Sequence, residues 1–430
     1  MYNTSELLNK IENGAFNEIF AKLYGAHAVE QQCTRYAETV RNFTELFGER
    51  DDVRLFSAPG RTEIGGNHTD HNHGCVLAAS VDLDVIAVVA PTTEPCIRVK
   101  SEGYPMDTVE LDDLSVRPEE INRSASLIRG TASRFDQLEL AIGGFDAFTT
   151  SNVLKGSGLS SSAAFEVLVG TILSSLYNND SVSKVEIAKI AQYAENMYFG
   201  KPSGLMDQTA SAVGGIITID FASTESPVIE SVEFDFASCG HRLCIVDVGG
   251  SHADLTHEYA AVPAEMKAVA AALGTEFLRE TSYEALLPRI AELRDQLGDR
   301  AVLRALHFFA DNARVGQEVA ALRQGDFEGF KQLVVESGHS SFEYLQNIYA
   351  NCDVTSQGMS LALALAQRVL GGKGAWRVHG GGFGGTTQNF VPEELVDTFA
   401  ETMENVFGKG SCHILSIRPC GSLEITKEAL

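Results

Sequence analysis

The chain has 430 residues, of which 58 are acidic and 33 are basic, and its formal net charge is −25 at pH 7. Charge of that sign repels nucleic-acid phosphates and anionic membrane surfaces, so we expect no nucleic-acid partner and no membrane partner. The length exceeds the size at which one hydrophobic core usually continues to grow, which predicts two domains.

Eight cysteines are spread along the chain without a C-x-x-C pair, and the N-terminal segment lacks the basic start and apolar block of a secretory leader. Apolar runs such as VIAVVA are too short to cross a bilayer. We therefore expect a cytoplasmic protein with reduced thiols. For the oligomeric state, the expectation is a monomer.

The first half of the chain predicts helices followed by strands. A helical pattern fills the N-terminal segment and ends at Gly48. Strands are then predicted at VRLFSAP, at the long valine-rich stretch VLAASVDLDVIAVVAP, and at LELAIGGFDAF.

From Ala163 the pattern becomes helical through AAFEVLVGTILSSLY and VEIAKIAQYAENMYF, while IITIDF, RLCIVDV and HILSIRP return to strands and long helices fill residues 260–350. Strands and helices come in blocks, without regular strand–helix–strand units, which predicts an α+β fold instead of a doubly wound parallel sheet. The Gly214-Gly215 pair marks the expected domain boundary. The predicted division is a helical extension (1–40), a first domain (41–215) and a second domain (216–430).

The segment GRTEIGGNHTDHNHG, residues 60–74, places three histidines and an aspartate within six positions. Such side chains could bind a transition metal, bind the hydroxyls of a sugar, or form a polar loop without a ligand. The ligands would all come from one loop, two and three residues apart, and no other part of the sequence offers a ligand cluster. Sugar binding is therefore the favoured interpretation.

The segment LKGSGLSSSAAFEVLVG, residues 154–170, places glycines and serines directly before a helical run. Glycines permit close backbone approach, and the free amides at a helix start attract an anion, so the segment could hold phosphate. It is not a P-loop, because G-x-x-x-x-G-K-[ST] is absent. An ordinary capped connection is the alternative.

Two further segments contain candidate site residues. VHGGGFGGTTQNF, residues 378–390, is either a glycine turn or a backbone surface for a ligand. In AENMYFGKPSGLMDQTASAVGG, Glu195 lies at the margin of an apolar helical face, where it could hold a hard cation or remain an ordinary surface glutamate. Asp207 starts another helical pattern, where a role as N-cap is the alternative.

Together and in this order, these segments resemble the GHMP small-molecule kinases, and among them the galactokinases. SAPGRTEIGGNHTDHNHG is similar to the galactokinase sugar signature, SGLSSSAA to the ATP-binding motif, GLMDQ to the aspartate segment and GGGFGG to the third motif. The resemblance extends over nearly all of the chain after about residue 40. It implies two α+β GHMP kinase domains with the active site in the cleft between them, ATP and Mg²⁺ as cosubstrates, and phosphorylation of the anomeric hydroxyl of a sugar, with galactose as the leading substrate.

The resemblance also implies a role for each matching residue. Arg61 and Asp207 correspond to the catalytic pair at the reacting hydroxyl, and Ser162 and Glu195 to the magnesium ligands. The implied sugar-binding residues are Asn67, His68, Asp70, Gly204 and Tyr259. The implied ATP-binding residues are Gly156, Ser157, Gly158, Leu159, Ser160, Ser161 and Ser162.

The sequence departs from the galactokinase pattern at several positions of the sugar site. Asn67 replaces a glutamate, His71 a tyrosine, Glu63 an asparagine and His379 a threonine. Because an asparagine is neutral and can also donate a hydrogen bond, N-acetylgalactosamine, arabinose and a uronic acid remain alternative substrates. A sugar and ATP sensor without turnover is a further alternative, which the intact serine segment disfavours. A kinase for mevalonate or homoserine is disfavoured by HTDH.

Overall fold

The computed structural model describes residues 2–153, 158–201, 203–249 and 255–428. The N-terminal part contains α1 (Thr4–Glu12), α2 (Asn17–Tyr24), α3 (Val29–Phe47), β1 (Arg54–Gly65), β2 (Cys75–Pro91), β3 (Cys96–Ser101), β4 (Met106–Glu110), α4 (Ser124–Gln137) and β5 (Phe145–Ser151). The middle part contains α5 (Ser161–Tyr177), α6 (Lys184–Ala194), α7 (Met206–Val213), β6 (Ile216–Asp220), β7 (Val228–Ser231) and β8 (His241–Asp247).

The C-terminal part contains α8 (Thr256–Ala272), α9 (Tyr283–Leu286), α10 (Ile290–Leu297), α11 (Asp299–Arg323), α12 (Phe327–Ser340), α13 (Gly358–Leu370), β9 (Ala375–His379), β10 (Thr386–Pro392), α14 (Val396–Phe407), β11 (Cys412–Leu415), β12 (Leu423–Glu424) and α15 (Ile425–Glu428). The mixture of helix and sheet confirms the predicted α+β class. No helix in the described ranges is both long enough and apolar enough to cross a bilayer.

Strand β2 is the centre of an eight-stranded sheet because its 17 residues pair with three other strands. Strand β1 lies along one side of β2, while β6 pairs with residues 75–79 and β5 with residues 85–91 on the other side. The strand order is β12-β1-β2-β5-β3-β4, and β7 extends the sheet from β6. Sugar-signature residues from β1 therefore lie in the middle of this sheet.

The side chains of β2 alternate between two hydrophobic cores, as the period of a strand requires. Val85 and Val89 belong to the core shared with α5, α6 and α7, whereas Ile86 and Val88 face a second core formed with α1, α2 and α3. Phe20 is one of the fully buried residues of this second core. The N-terminal helices, whose purpose the sequence does not indicate, thus cover the outer face of the sheet.

A buried ionic network joins these helices to the sheet. Asp84 of β2 accepts hydrogen bonds from Arg35 of α3 at 2.7 Å, from Arg418 at 3.0 Å and from the hydroxyl of Tyr24 at 2.5 Å. Burial by itself raises the pKa of Asp84, but the two guanidinium groups outweigh burial and hold the pKa below its ordinary value. Asp84 is therefore ionised in the folded protein.

The second sheet is antiparallel, with the order β11-β8-β10-β9. One face packs against α13 and α14, where Phe399 and Met403 are fully buried. The other face, with Phe390, joins the main core together with Phe330 of α12. Strands β6, β7 and β12 pair within the first sheet, so the chain after residue 215 contributes to both sheets. The division at residues 40 and 215 stays a proposal.

Replacement of Asp84 by asparagine tests the ionic network. The variant leaves Arg35 and Arg418 without their anionic partner, and loss of one member of a buried ion pair typically costs about 3–5 kcal/mol. We therefore expect a free energy of unfolding that is lower by about that amount in urea denaturation. Glu12→Gln, which removes an exposed partner of Arg41, is the control and should cause little change. Equal effects of the two substitutions would contradict a special role for the network.

Candidate active site

Arg61 projects from an irregular position of β1. The pairing of β1 with β2 shifts register between Pro59 and Arg61, and such a bulge redirects the side chain that follows it. At Gly60, a Cβ atom would lie 2.9 Å from the carbonyl oxygen of Leu159, to which the backbone N–H of Arg61 donates at 3.1 Å. The missing side chain at position 60 therefore allows the serine-rich segment to lie directly against β1.

Arg61 forms a two-pronged ion pair with Asp207, the second residue of α7. The Nε–Oδ1 and Nη2–Oδ2 distances are both 2.7 Å, although the residues are 146 positions apart in the chain. The hydroxyl of Ser160 also donates to Oδ2 of Asp207, and Nη1 of Arg61 donates to the carbonyl of Gly158. The N-cap of α7 is Leu205, so the alternative role of Asp207 as an N-cap is wrong.

The ion pair fixes the charge of both partners. Burial alone raises the pKa of Asp207, but the charge of Arg61 and hydrogen bonds from Arg61 and Ser160 outweigh it, so the net pKa lies below the ordinary value. The pKa of Arg61 is raised: burial lowers it, and the attraction of Asp207 exceeds that effect. A carboxylate has about four acceptor positions. Arg61 and Ser160 use three on Asp207, which leaves one at Oδ1 for a further donor.

The serine-rich segment leads into helix α5 beside this ion pair. Gly158 and Ser160 have positive φ angles of 72° and 55°, and α5 begins at Ser161. The first amides of a helix of this length lack intrahelical partners and form a site that attracts anions. Leu159 is fully buried in the main core. The predicted ATP-binding residues Gly156 and Ser157 lie outside the described residues.

Glu195 lies at the other side of the α5 N-terminus, at the start of a wide helical turn, Glu195–Phe199, that follows α6. Its Oε1 atom is 3.0 Å from the hydroxyl of Ser162, and its side chain is only 1% exposed. Such turns often occur at functional sites. Two hard oxygen donors at this spacing suit a magnesium ion, which prefers oxygen ligands.

The sequence did not single out Lys201, which is part of the same cluster. Its ammonium group lies 2.9 Å from Oε1 of Glu195, and Gln208 donates to the other carboxylate oxygen at 2.8 Å. Glu195 also raises the pKa of Lys201, against the lowering effect of burial. In the sequence, the contact is indicated only by the position of this lysine in FGKPSG, between Glu195 and Asp207.

The side chains of the HTDHNH segment do not converge on one point. The His68 ring is buried, and the half-exposed His71 ring lies 6.0 Å from it between centroids, whereas His73 stacks on Phe277 with 3.6 Å between ring centroids. Asp70 instead faces Gly204, where a Cβ atom would lie 2.8 Å from its Oδ2 atom. The arrangement gives no support to a metal site shared by these histidines.

Asp70 and Gly204 line a cleft of about 310 Å³. Leu205, two residues before Asp207, also lines this cleft. Its other lining residues include Gln192 and Phe221. The cleft therefore joins the HTDHNH segment to the start of α7.

His68 is held in one orientation and one protonation state. Its φ angle is positive, 59°, and its Nε2 atom lies 2.9 Å from the carbonyl oxygen of Gly381. Burial lowers its pKa to about 4, so the ring is neutral at pH 7. Because a carbonyl only accepts, Nε2 carries the proton and Nδ1 is an acceptor. That buried Nδ1 atom has no hydrogen-bond partner among the described residues.

The glycine-rich segment lies against the sugar-signature strand. Tyr259 of α8 donates from its hydroxyl to the carbonyl of Gly382 at 2.7 Å, and its ring lies edge-on to Phe383. His379 contacts the hydroxyl of Thr62 at 3.1 Å. These contacts bring the glycine turn, the sugar loop and Tyr259 into one region.

Asn67 points into the protein interior, in contrast to Asp70. It is fully buried, and its amide contacts Glu63 of β1 and the carbonyl of Gly380. Of the sugar-site residues predicted from the sequence, His68, Asp70, Gly204 and Tyr259 contact the cleft or the glycine turn. Asn67 lies beneath them.

Comparison with known proteins identifies the class of protein. The family model for the GHMP kinases N terminal domain matches residues 126–215, and the galactokinase galactose-binding signature matches residues 41–91. Among solved structures, the Lactococcus lactis galactokinase complexed with galactose matches with a TM-score of 0.77 and 24% identity, over 91% of this chain and 100% of that chain. The Methanococcus jannaschii mevalonate kinase matches with a TM-score of 0.60 and 16% identity, over 86% and 99%. The fold and the site thus define a sugar kinase of the GHMP class.

The curated relatives identify the family. A galactokinase from Streptomyces coelicolor is 32% identical over 365 residues, which cover 85% of this chain and 91% of the relative. A galactokinase from Glaesserella parasuis is 31% identical over 377 residues, with 85% and 92% covered. The chain belongs to the galactokinase family.

The low pKa of Asp207 predicts a specific pH dependence of stability. Because the folded-state pKa is lowered, the ionic contribution is fully present above the unfolded-state pKa of about 3.9, declines below it, and is lost as the pH falls through the lower folded-state pKa. The melting temperature of the wild type should therefore exceed that of Asp207→Asn by a constant margin from about pH 6 to 8. This margin should shrink below about pH 4. Calorimetry of both proteins measures it. A margin that stays constant down to about pH 3 would show that the charge of Asp207 is not what stabilises the fold.

Proposed function

We propose that this sugar kinase transfers the γ-phosphoryl group of ATP to the anomeric (C1) hydroxyl of a monosaccharide, and that galactose, giving galactose 1-phosphate, is the leading substrate. The observation that carries the proposal is the partly buried Arg61–Asp207 ion pair, which lies against the Gly158–Ser160 segment at the start of α5. Asp207 can therefore contact a reacting hydroxyl, and the adjoining start of α5 can bind an anionic phosphate.

Asp207 and Arg61 have complementary roles in this proposal. The free acceptor position at Oδ1 of Asp207 can receive the hydrogen of the sugar hydroxyl, which orients that oxygen toward the γ-phosphorus. An ionised aspartate of low pKa is a weak base, so we infer that the proton moves late, as the new O–P bond forms and the bond to the ADP oxygen breaks. Arg61 provides fixed positive charge beside the transferred group.

The N-terminus of α5 provides the phosphate-binding end of the proposed ATP site. The proposed ATP-binding residues are Gly156, Ser157, Gly158, Leu159, Ser160, Ser161 and Ser162. In this assignment, backbone amides around Ser161 and Ser162 face the anion, and Lys201 adds a positive charge close by. The positive φ of Gly158 is a conformation that suits glycine.

Ser162 and Glu195 would hold the magnesium ion. Their two oxygens are 3.0 Å apart and fit a small cation that needs hard ligands. Bound there, Mg²⁺ would neutralise charge on the phosphate oxygens. Gln208 donates to the second carboxylate oxygen of Glu195, and Lys201, which contacts the first oxygen at 2.9 Å, would share that oxygen with the ion or withdraw from it.

We assign the sugar to the region of Asn67, His68, Asp70, Gly204 and Tyr259. Asp70 lines the cleft and can accept two hydroxyls, and the neutral His68 ring offers Nδ1 as an acceptor. N-acetylgalactosamine, arabinose and a uronic acid remain alternative substrates, because the sequence of this loop departs from the galactokinase pattern. We further propose that the protein acts as a monomer in the cytoplasm, where ATP is supplied.

A sugar panel tests the proposed activity. The protein is incubated with Mg-ATP and each of galactose, N-acetylgalactosamine, arabinose and galacturonic acid, and sugar phosphates are identified by mass and by ³¹P NMR. We expect one sugar 1-phosphate to form much faster than the others, with galactose the leading candidate. Thermal stabilisation by a sugar without any product would instead support a sensor that binds but does not turn over.

Asp207→Asn provides the mechanistic comparison. Loss of the carboxylate should lower kcat by about 10²–10⁴-fold, the usual range for a proton-transfer group, while ATP binding measured by calorimetry persists. The control is Asp146→Asn, because Asp146 is likewise an aspartate paired with arginine, here Arg50 and Arg98, but lies on β5. Unchanged kcat in Asp207→Asn would remove Asp207 from the mechanism.

A further inference from the structure

The side chain of Asn67 has no hydrogen-bonding capacity left for a ligand. Its Nδ2 group donates to Oε1 of Glu63 at 3.0 Å and to the carbonyl of Gly380 at 2.7 Å. Its Oδ1 atom accepts from Asn347 at 2.8 Å and from Ser341 at 3.3 Å. An asparagine amide has two donor and two acceptor positions, and the protein occupies all of them.

The main chain of Asn67 is fixed as well. Its N–H donates to Oδ2 of Asp311 at 2.8 Å, and its carbonyl lies 2.9 Å from Nε2 of His307. Both partners belong to α11 and are fully buried. A sugar could contact Asn67 only by breaking one of these buried hydrogen bonds, which is costly.

Asn67 and His68 together bind two consecutive carbonyls of the glycine turn. Asn67 donates to Gly380 at 2.7 Å, and His68 donates to Gly381 at 2.9 Å. The first two residues follow β1 of the eight-stranded sheet, and the two glycines follow β9 of the four-stranded sheet. This loop–turn contact (Asn67, His68, Gly380 and Gly381) therefore fixes the sugar loop against the second sheet.

We propose that Asn67 is a positioning residue that does not touch the sugar and that fixes His68, through the loop–turn contact, in the orientation that leaves Nδ1 free for a sugar hydroxyl. This inference rests on the proposed function, because it states how the sugar site of that kinase is held. The identity of residue 67 then affects sugar binding through His68 and not through a contact of its own.

The surroundings of Asn67 explain why this position needs a neutral donor. Glu63 is buried beside Arg377 at 2.6 Å, and Asp311 and Glu318 lie nearby on α11. Burial raises the pKa of Glu63 to about 7, although Arg377 and Asn67 act in the opposite direction. A carboxylate at position 67 would face Oε1 of Glu63 and the carbonyl of Gly380 with no hydrogen of its own to donate to either acceptor.

The test is a pair of substitutions that reverse donor and acceptor. Asn67→Asp keeps the shape but removes both donated hydrogen bonds, so we expect at least a ten-fold rise in the KM for the sugar and a lower melting temperature, with less than a three-fold change in the KM for ATP. Adding Glu63→Gln supplies an amide that can donate to the new carboxylate. The double variant should therefore melt above Asn67→Asp and recover most of the sugar KM.

The ranking of sugars separates positioning from direct contact. If Asn67 only positions His68, the folded double variant keeps the wild-type order of sugars in the panel. If residue 67 touches the sugar, the order changes, because an amide has become a carboxylate, and the proposal is overturned. Should Asn67→Asp alone fail to fold, the double variant still decides between these results.

A control and an activity-independent readout complete the experiment. Asn72→Asp makes the same substitution at another fully buried asparagine of the loop and should leave the sugar KM close to wild type. In ¹⁵N NMR, wild-type His68, assigned with His68→Gln, should be the neutral Nε2–H tautomer, and Asn67→Asp should perturb that signal.

An unperturbed His68 signal and unchanged melting in Asn67→Asp would overturn the inference. Absence of any sugar phosphorylation by wild type would instead refute the proposed function. In that case the NMR and melting data would still decide whether Asn67 holds His68.

Discussion

The ion pair between the buried Arg61 and the half-buried Asp207 is the interaction on which the site depends. The guanidinium of Arg61 is buried and would be unfavourable there without Asp207, because removing an unpaired ion from water costs several kcal/mol. The pair also brings together β1, the serine-rich segment and α7, since Asp207 accepts from Ser160 and Arg61 donates to Gly158. The same contacts that make the charges tolerable also place them beside the start of α5.

A second set of polar contacts links the two sheets behind this ion pair. Glu63 of β1 meets Arg377 of β9, and Thr62 of β1 meets His379 of β9 and Gln388 of β10. Burial lowers the pKa of His379 to about 3, so this histidine is a neutral hydrogen-bonding group. Because these groups are buried, a shift of one sheet against the other would leave several of them unsatisfied. The sugar loop and the glycine turn therefore keep a fixed relative position.

The sequence predicted most of the elements, because hydrophobic periodicity reports directly on burial. The long strand β2 and helix α5 lie where the pattern places them. The predicted strand LELAIGGFDAF begins only at Phe145: Leu138 caps α4, and at Gly144 a Cβ would lie 1.9 Å from the carbonyl of Glu94. Leu140 and Ile142 lie in a loop but pack on the core. Their alternation with exposed residues therefore gave the same sequence pattern as a strand.

Motif order also predicted that Arg61 and Asp207 belong to one site, but it could not give side-chain directions. The bulge at Gly60 redirects the side chain of Arg61. The positive φ of His68 makes its side chain point in a different direction from that of Asn67. Neither backbone feature produces a periodic pattern in the sequence. Lys201 was missed for a related reason, because a lysine near a turn is usually a solvated surface residue.

The central claim is that the sugar's anomeric oxygen lies at the Arg61–Asp207 pair. A crystal structure with the preferred sugar and a non-hydrolysable ATP analogue tests it most directly. We predict that the C1 oxygen lies within hydrogen-bonding distance of Oδ1 of Asp207 and faces the terminal phosphorus of the analogue across the start of α5. A sugar bound with its C1 oxygen far from this pair, or with a different hydroxyl facing the phosphorus, would contradict the account.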